Sequence, residues 1–180
     1  MRAVVGLGNP GPEYAATRHN AGFRLADVLA AHWQLPPFRR AERARATEGT
    51  VAGTAVRILK PTTFMNRSGA ALASLRADPT FTPARDLLIL VDDFQIPLGT
   101  FRFRAEGSSG GHNGLKSVEG SLQSQEYARL RIGVGPLPEG TGDWADYVLA
   151  PFEPEEVEQV QALMPAMIEA VEKWLKTEVR

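Results

Sequence analysis

His19, Asp92, Asn9, Asn66 and Asn113 are the residues of this chain whose types and placing point to shared chemistry. An imidazole can accept a proton from water near neutral pH. A carboxylate beside it would fix the tautomer and favour the cation formed as water attacks. Neutral Asn side chains both donate and accept hydrogen bonds, so they can hold a carbonyl and stabilise a developing oxyanion without adding charge. Such a set suits hydrolysis of a labile ester by activated water, with neither a covalent intermediate nor a metal. His19 lies just before a helical pattern, where the helix N-terminus disfavours the imidazolium and keeps the base free. The other histidines read more plainly: His32, beside Trp33 late in the first helix, as a partly buried structural residue, and His112 as a hydrogen-bonding member of a glycine loop.

Three rival motifs fail on context. Gly6, Gly8 and Gly11 fit G-x-G-x-x-G, but Pro10 interrupts the turn and the helix begins only near Asn20. Gly107, Ser109 and Gly111 fit the nucleophile-elbow pattern, but no remote histidine follows Ser109, which leaves a glycine loop. Asp92 and Asp93 could begin a magnesium site, yet neighbours on a strand point to opposite faces.

The elements that must position these groups follow from hydrophobic periodicity. Arg2 to Leu7 reads as a buried strand, and Ala21, Leu25, Val28, Leu29 and Trp33 recur at helical spacing. Ala46 to Ala52 and Thr54 to Leu59 form a predicted hairpin around Gly53, followed by a helix from Ala70 to Leu75. Leu87 to Val91 reads as a central strand ending at Asp92, Thr100 to Arg104 as a one-sided strand, Leu115 to Leu122 as a helix, and Ala128 to Val134 as a strand. Pro136 to Asp143 and the short apolar stretch Trp144 to Leu149 suggest a flap. A last helix starts at Pro154, where Glu155 and Glu156 suit the N-terminal dipole, and Pro165 should bend it. Asn9, Asn66, Asp92 and Asn113 each follow or end an element, where polar groups converge on the crevice of a layered α/β domain.

With 180 residues, one core and one domain over 1–180 are expected. The absence of cysteine excludes disulfides and thiolate chemistry and is most simply reconciled with the cytoplasm. No apolar run approaches the length of a membrane span, and neither a signal peptide nor a membrane partner is expected. The net charge of −1 hides a division: residues 151–180 hold seven acids and three bases, leaving 17 bases against 14 acids in the first 150. That permits a local phosphate site but not non-specific binding to long duplexes.

Four strings, GLGNPGPEYAATRHNAGF (6–23), KPTTFMNRSG (60–69), GSSGGHNGLKS (107–117) and RLRIGVG (129–135), resemble the signatures of the bacterial peptidyl-tRNA hydrolases, in the same order and at similar spacing. The resemblance implies a three-layer αβα domain with a twisted mixed β-sheet, acting as a monomer without cofactor or metal on peptidyl-tRNA. By matched position, His19 resembles the catalytic base and Asp92 its orienting acid. Asn9 resembles the residue that recognises the blocked peptide end, and Asn66 and Asn113 resemble residues binding the peptide and the tRNA 3′ end. Tyr14, Phe64 and Met65 resemble the cleft walls, and Arg104 and Arg131 match basic positions that grip the tRNA 5′ phosphate. Arg39, Arg40, Arg43 and Arg45 read more simply as a solvated surface than as an RNA-facing one. Gln95 stands where the family usually has an acid, and Gly135 to Pro138 departs from the usual basic-Pro pattern. The rival function is a non-catalytic module that binds the tRNA acceptor end.

Overall fold

A β-strand flanked by apolar residues on both faces must be covered on both faces, and the central strands here are of that kind. The computed structural model describes residues 1–140 and 142–177. Its seven strands are β1 (Arg2–Gly6), β2 (Arg39–Ala41), β3 (Ala44–Val51), β4 (Thr54–Pro61), β5 (Leu87–Pro97), β6 (Phe101–Arg104) and β7 (Ala128–Gly135). They form one mixed sheet in the order β2-β3-β4-β1-β5-β7-β6. The four inner strands β4, β1, β5 and β7 run parallel, while β3, β2 and β6 are added antiparallel at the edges.

One face carries α1 (Ala21–His32) and α6 (Pro154–Leu175), packed on Val4, Ile58, Leu90 and Leu130. The other carries a 3₁₀ segment Met65–Leu72, the short α2 (Ala73–Arg76) and α4 (Asn113–Leu122), packed on Val5, Leu59, Ile89 and Val91. Two further short helices are α3 (Pro83–Asp86) and α5 (Trp144–Val148). The result is the expected αβα sandwich. No helix among the described residues is long and apolar enough to cross a membrane.

The glycines of the rejected dinucleotide motif have a packing role. A Cβ at Gly6 would strike the Gly22 carbonyl, and one at Gly22 would strike the carbonyls of Leu90 and Leu7. Bare backbone on both sides lets α1 sit close against β1 and β5, which brings the turn before α1 over the sheet.

Several elements differ from the sequence-based expectation. The hairpin is longer, and a third strand, β2, adds to its edge; its three residues, Arg39-Arg40-Ala41, give little apolar signal. The expected helix at Ala70 begins earlier as the 3₁₀ segment, so Asn66 lies inside it instead of in a loop. β5 runs past Asp92, with a shift in its pairing to β7 between Asp93 and Pro97. α6 continues through Pro165 without a break in its assignment. His32 is exposed at the C-terminus of α1, not partly buried, because its position falls outside the apolar stripe. Of the expected flap, Trp144–Val148 is helical; residue 141 lies outside the described residues, as do 178–180 of the expected single domain.

Candidate active site

His19 sits in a one-turn 3₁₀ helix, Arg18–Asn20, that leads into α1. Its imidazole is buried, 6% exposed, and Nδ1 donates to Asp92 Oδ2 at 2.8 Å. The second oxygen of Asp92 is equally occupied: His112 Nε2 donates to Oδ1 at 2.8 Å. Asp92 is 1% exposed, so both imidazoles bracket a carboxylate removed from water. Burial alone would push its pKa up, but the attraction of His112 and His19 in their protonated forms at acid pH, together with their hydrogen bonds, brings it down to about 2. Asp92 is therefore an ionised acceptor, which places the proton of His19 on Nδ1. Nε2 is left with its lone pair on a residue that lines a cavity.

His112 is the functional residue that the sequence reading undervalued. It is the N-cap of α4, and its Nδ1 accepts from the backbone N–H groups of Gly114 (3.0 Å) and Leu115 (3.3 Å). The helix thus fixes the tautomer, with the proton on Nε2, facing Asp92. The available signal was its position: a polar residue directly before Asn113 and the apolar residues of α4.

His19, Asp92 and His112 offer three ligand-type atoms within 4.8 Å of one another. The donor set is nevertheless poor for a metal. Coordination by His112 Nε2 would require either an imidazolate or loss of the helix cap held by Nδ1. Asp93, the other half of the magnesium alternative, turns away to Arg131 (3.4 Å). The protons and hydrogen bonds are accounted for without an ion.

The cavity, about 230 Å³, brings together Asn9, His19, Phe64, Met65, Asn66 and Asn113 from the expected set. Asn9 is held at both ends of its own backbone by Asn20, whose Oδ1 accepts from Asn9 N (2.8 Å) and whose Nδ2 donates to Asn9 O (2.9 Å). Asn9 Oδ1 accepts from Met65 N at 2.7 Å, which fixes the amide orientation. Its Nδ2 donates to no protein group among the hydrogen bonds of the described residues and is free for a carbonyl oxygen. Met65 is buried, whereas Phe64 is 55% exposed at the rim. Tyr14 does not line the cavity; it buttresses Phe64 edge-on, ring centres 6.3 Å apart.

The opposite wall is α5, through Trp144, Ala145, Val148 and Leu149. It is pinned at two points beside the His19–Asp92 pair. Trp144 stacks on Phe94, two residues past Asp92, and Arg18 lies 4.1 Å from the ring centre of Tyr147. Arg18 also donates to Tyr147 O (3.0 Å) and Glu156 (2.7 Å). This wall was expected only as a flap, because its tertiary ties to residues 16–18 leave no local pattern.

Arg104 and Arg131 lie outside the cavity, on β6 and β7. Arg104 is exposed, and Arg131 is tied to Asp93 and to Ser108 O (2.7 Å). The register pairs Arg102 with Arg131 and Arg104 with Arg129, giving four arginines on the α4 face of this edge. Arg129, fully buried, was also missed; it donates to Gly107 O (2.8 Å) and Gln125 O (2.8 Å) and holds the glycine loop that ends at His112. Ser109 belongs to that loop, and its carbonyl accepts from His112 N at 3.1 Å.

An α/β sandwich with a carboxylate-braced imidazole beside a cavity of neutral amides has the parts that a hydrolase activating water through a general base requires. The family model for peptidyl-tRNA hydrolase matches residues 3–180. A peptidyl-tRNA hydrolase of Gemmatimonas aurantiaca is 45% identical over 97% of this chain and 93% of its own length. One from Chloroflexus aggregans is 44% identical over 96% and 91%. The crystal structure of the Acinetobacter baumannii peptidyl-tRNA hydrolase superposes with a TM-score of 0.90 at 31% identity, covering 98% of this chain and 89% of that one. The chain belongs to the peptidyl-tRNA hydrolase family.

Proposed function

We propose that this chain hydrolyses the ester between a peptide, or an N-blocked amino acid, and the 3′-terminal ribose of tRNA. The tRNA is freed, and peptidyl-tRNA lost from the ribosome is recycled. The observation that carries the reading is the His19–Asp92 hydrogen bond at the edge of a cavity that also holds Asn9, Asn66 and Asn113.

His19 Nε2 takes a proton from water while the water oxygen bonds to the ester carbon. Negative charge moves to the carbonyl oxygen, where the free Nδ2 of Asn9 and the amides of Asn66 and Asn113 can donate. The tetrahedral intermediate collapses by breaking the bond to the ribose oxygen, and the imidazolium returns its proton to that leaving group. Asp92 stabilises the cation between the two transfers. Asn9, tied to Met65, also contacts the acyl amide and so separates blocked from free amino acids; Phe64 and Met65, with Tyr14 behind, wall the cleft. Arg104 and Arg131 take the tRNA 5′ phosphate, Arg104 being the less engaged of the two. Recognition of a single-stranded acceptor end by phosphate and stacking contacts needs no basic surface of duplex-binding size. The protein works as a one-domain monomer in the cytoplasm.

The test is ester cleavage of N-acetyl-aminoacyl-tRNA in the presence of a chelator. We expect release of the blocked amino acid, abolished in His19→Ala while tRNA binding persists. Binding without turnover in the wild type would favour the acceptor-end binding module, and restoration of turnover only by added metal would refute the water-activation chemistry.

A further inference from the structure

A second cavity, about 410 Å³, shares Asn9 with the catalytic one and continues along α1, lined by Asn20, Phe23, Arg24, Asp27 and Lys60. Lys60, near the end of β4, lies in direct register with Arg45 on β3, and Arg45 with Arg40 on β2. Directly paired residues share a face, so three cations stand in a row on the α1 side of the sheet. Lys60 reaches Asp27 (2.6 Å), itself 54% exposed, and lies over Phe38 at 4.3 Å. Neither Arg40 nor Arg45 takes part in an ion pair among the described residues. Like charges placed directly opposite one another repel. Protection of the β2 edge accounts for one of them. It does not account for repetition of the opposition one strand further in.

The sheet order indicates which part of the substrate this row meets. The phosphate-gripping arginines are on β6 and β7, the base and its carboxylate lie over β1 and β5, and the row is on β4, β3 and β2. RNA approaching from the β6 edge leaves its acyl group directed towards the opposite edge. We propose that Lys60, Arg45 and Arg40, reached by way of the second cavity, bind acidic side chains of the departing peptide; this rests on the ester-hydrolysis reading above. With strands about 4.8 Å apart, the row lies roughly 5–14 Å beyond β1. At about 3.3 Å per extended residue, the acidic positions are some two to four residues beyond the one held at Asn9.

The experiment compares tRNAs carrying matched blocked octapeptides with three Asp or three Lys at those positions, against N-acetyl-aminoacyl-tRNA. Turnover is measured on the esters, and binding on analogues whose 3′ linkage is an amide. We expect the Asp peptide to show a KM and a Kd about fivefold lower than the Lys peptide, a gap that narrows with salt. In Arg40→Ser/Arg45→Ser the gap should narrow to what Lys60 alone sustains, about twofold or less, with turnover of the short substrate unchanged. Equal Kd values for the two peptides in the wild type, or a gap left undiminished in the double variant, would overturn the proposal. So would an equal loss on short and long substrates, which would make the row an RNA contact. A charge preference in binding without any ester cleavage would support the proposal while refuting the hydrolytic reading.

Discussion

Replacing Asp92 by Asn keeps the shape of the group between the two imidazoles but turns one acceptor into a donor. His112 cannot adapt, because α4 holds its tautomer. The amide oxygen therefore stays with His112, and its nitrogen faces His19, forcing the lone pair there onto Nδ1. Nε2 ceases to be a base. We expect a loss of about 10²–10⁴ in kcat for Asp92→Asn, with little change in tRNA affinity, as read by single-turnover cleavage and binding assays. The depressed pKa of Asp92 also has a stability consequence, with a fixed sign. A carboxyl whose pKa falls on folding, here from 3.8 to about 2, stabilises the fold above the unfolded value. That contribution disappears as pH drops from about 4 towards 2, and amounts to about 2 kcal/mol. Urea unfolding at pH 5 and pH 2 should show a steeper acid loss in the wild type than in Asp92→Asn; parallel losses would contradict it. At this scale the sequence was readable where a polar residue came straight after a run of apolar residues, as Asp92 does within β5, or just past a strand, as Asn9 does past β1. It was unreadable where a loop residue serves an element and the site together, as His112 does.

At the scale of elements, α4 depends on a histidine for its cap. His112→Ala should cost about 1 kcal/mol of stability through the lost cap alone. His112→Asn supplies a good cap and should recover that part in thermal or urea unfolding, but not the bond to Asp92 Oδ1, so turnover should remain reduced. If Asn restored both, the role of His112 would be confined to the helix. The β6–β7 edge makes a different prediction. Arg104→Ala should weaken tRNA binding and lower the magnitude of the salt slope by about one, with kcat nearly unchanged. The central strands and α1 were legible because buried parallel strands and an amphipathic helix leave strong periodic signals. β2 and the 3₁₀ segment at Met65–Leu72 were not. Their conformations come from pairing with β3 and from packing on α4, where Gly69 meets Ser117, and not from any run of apolar residues.

Across the whole molecule, the two ends of the described chain are fastened together. Arg2, at the start of β1, lies over the Trp174 ring and donates to the carbonyls of Trp174 and Thr177, capping the end of α6. These are charge-assisted bonds in a buried setting, and Arg2→Ala should lower stability by about 2–3 kcal/mol, measurable by urea unfolding. The sequence offers no hint of this tie, since position 2 simply looks like the polar beginning of a strand. The fold class was nonetheless readable, because the order of strands and helices limits how a sheet with short connections can be layered.

The fastening of α5 and α6 to Arg18 has a bearing on biosynthesis. Residues 16–18 lean on Tyr147, Ala150, Phe152 and Glu156, by backbone and side-chain bonds that span most of the polypeptide. In the order of synthesis, His19 and Arg18 therefore emerge long before the far wall of the cleft: 129 positions separate Arg18 from Tyr147. A nascent chain stopped before α5 would hold His19 and Asp92 without the residues that face them across the cavity.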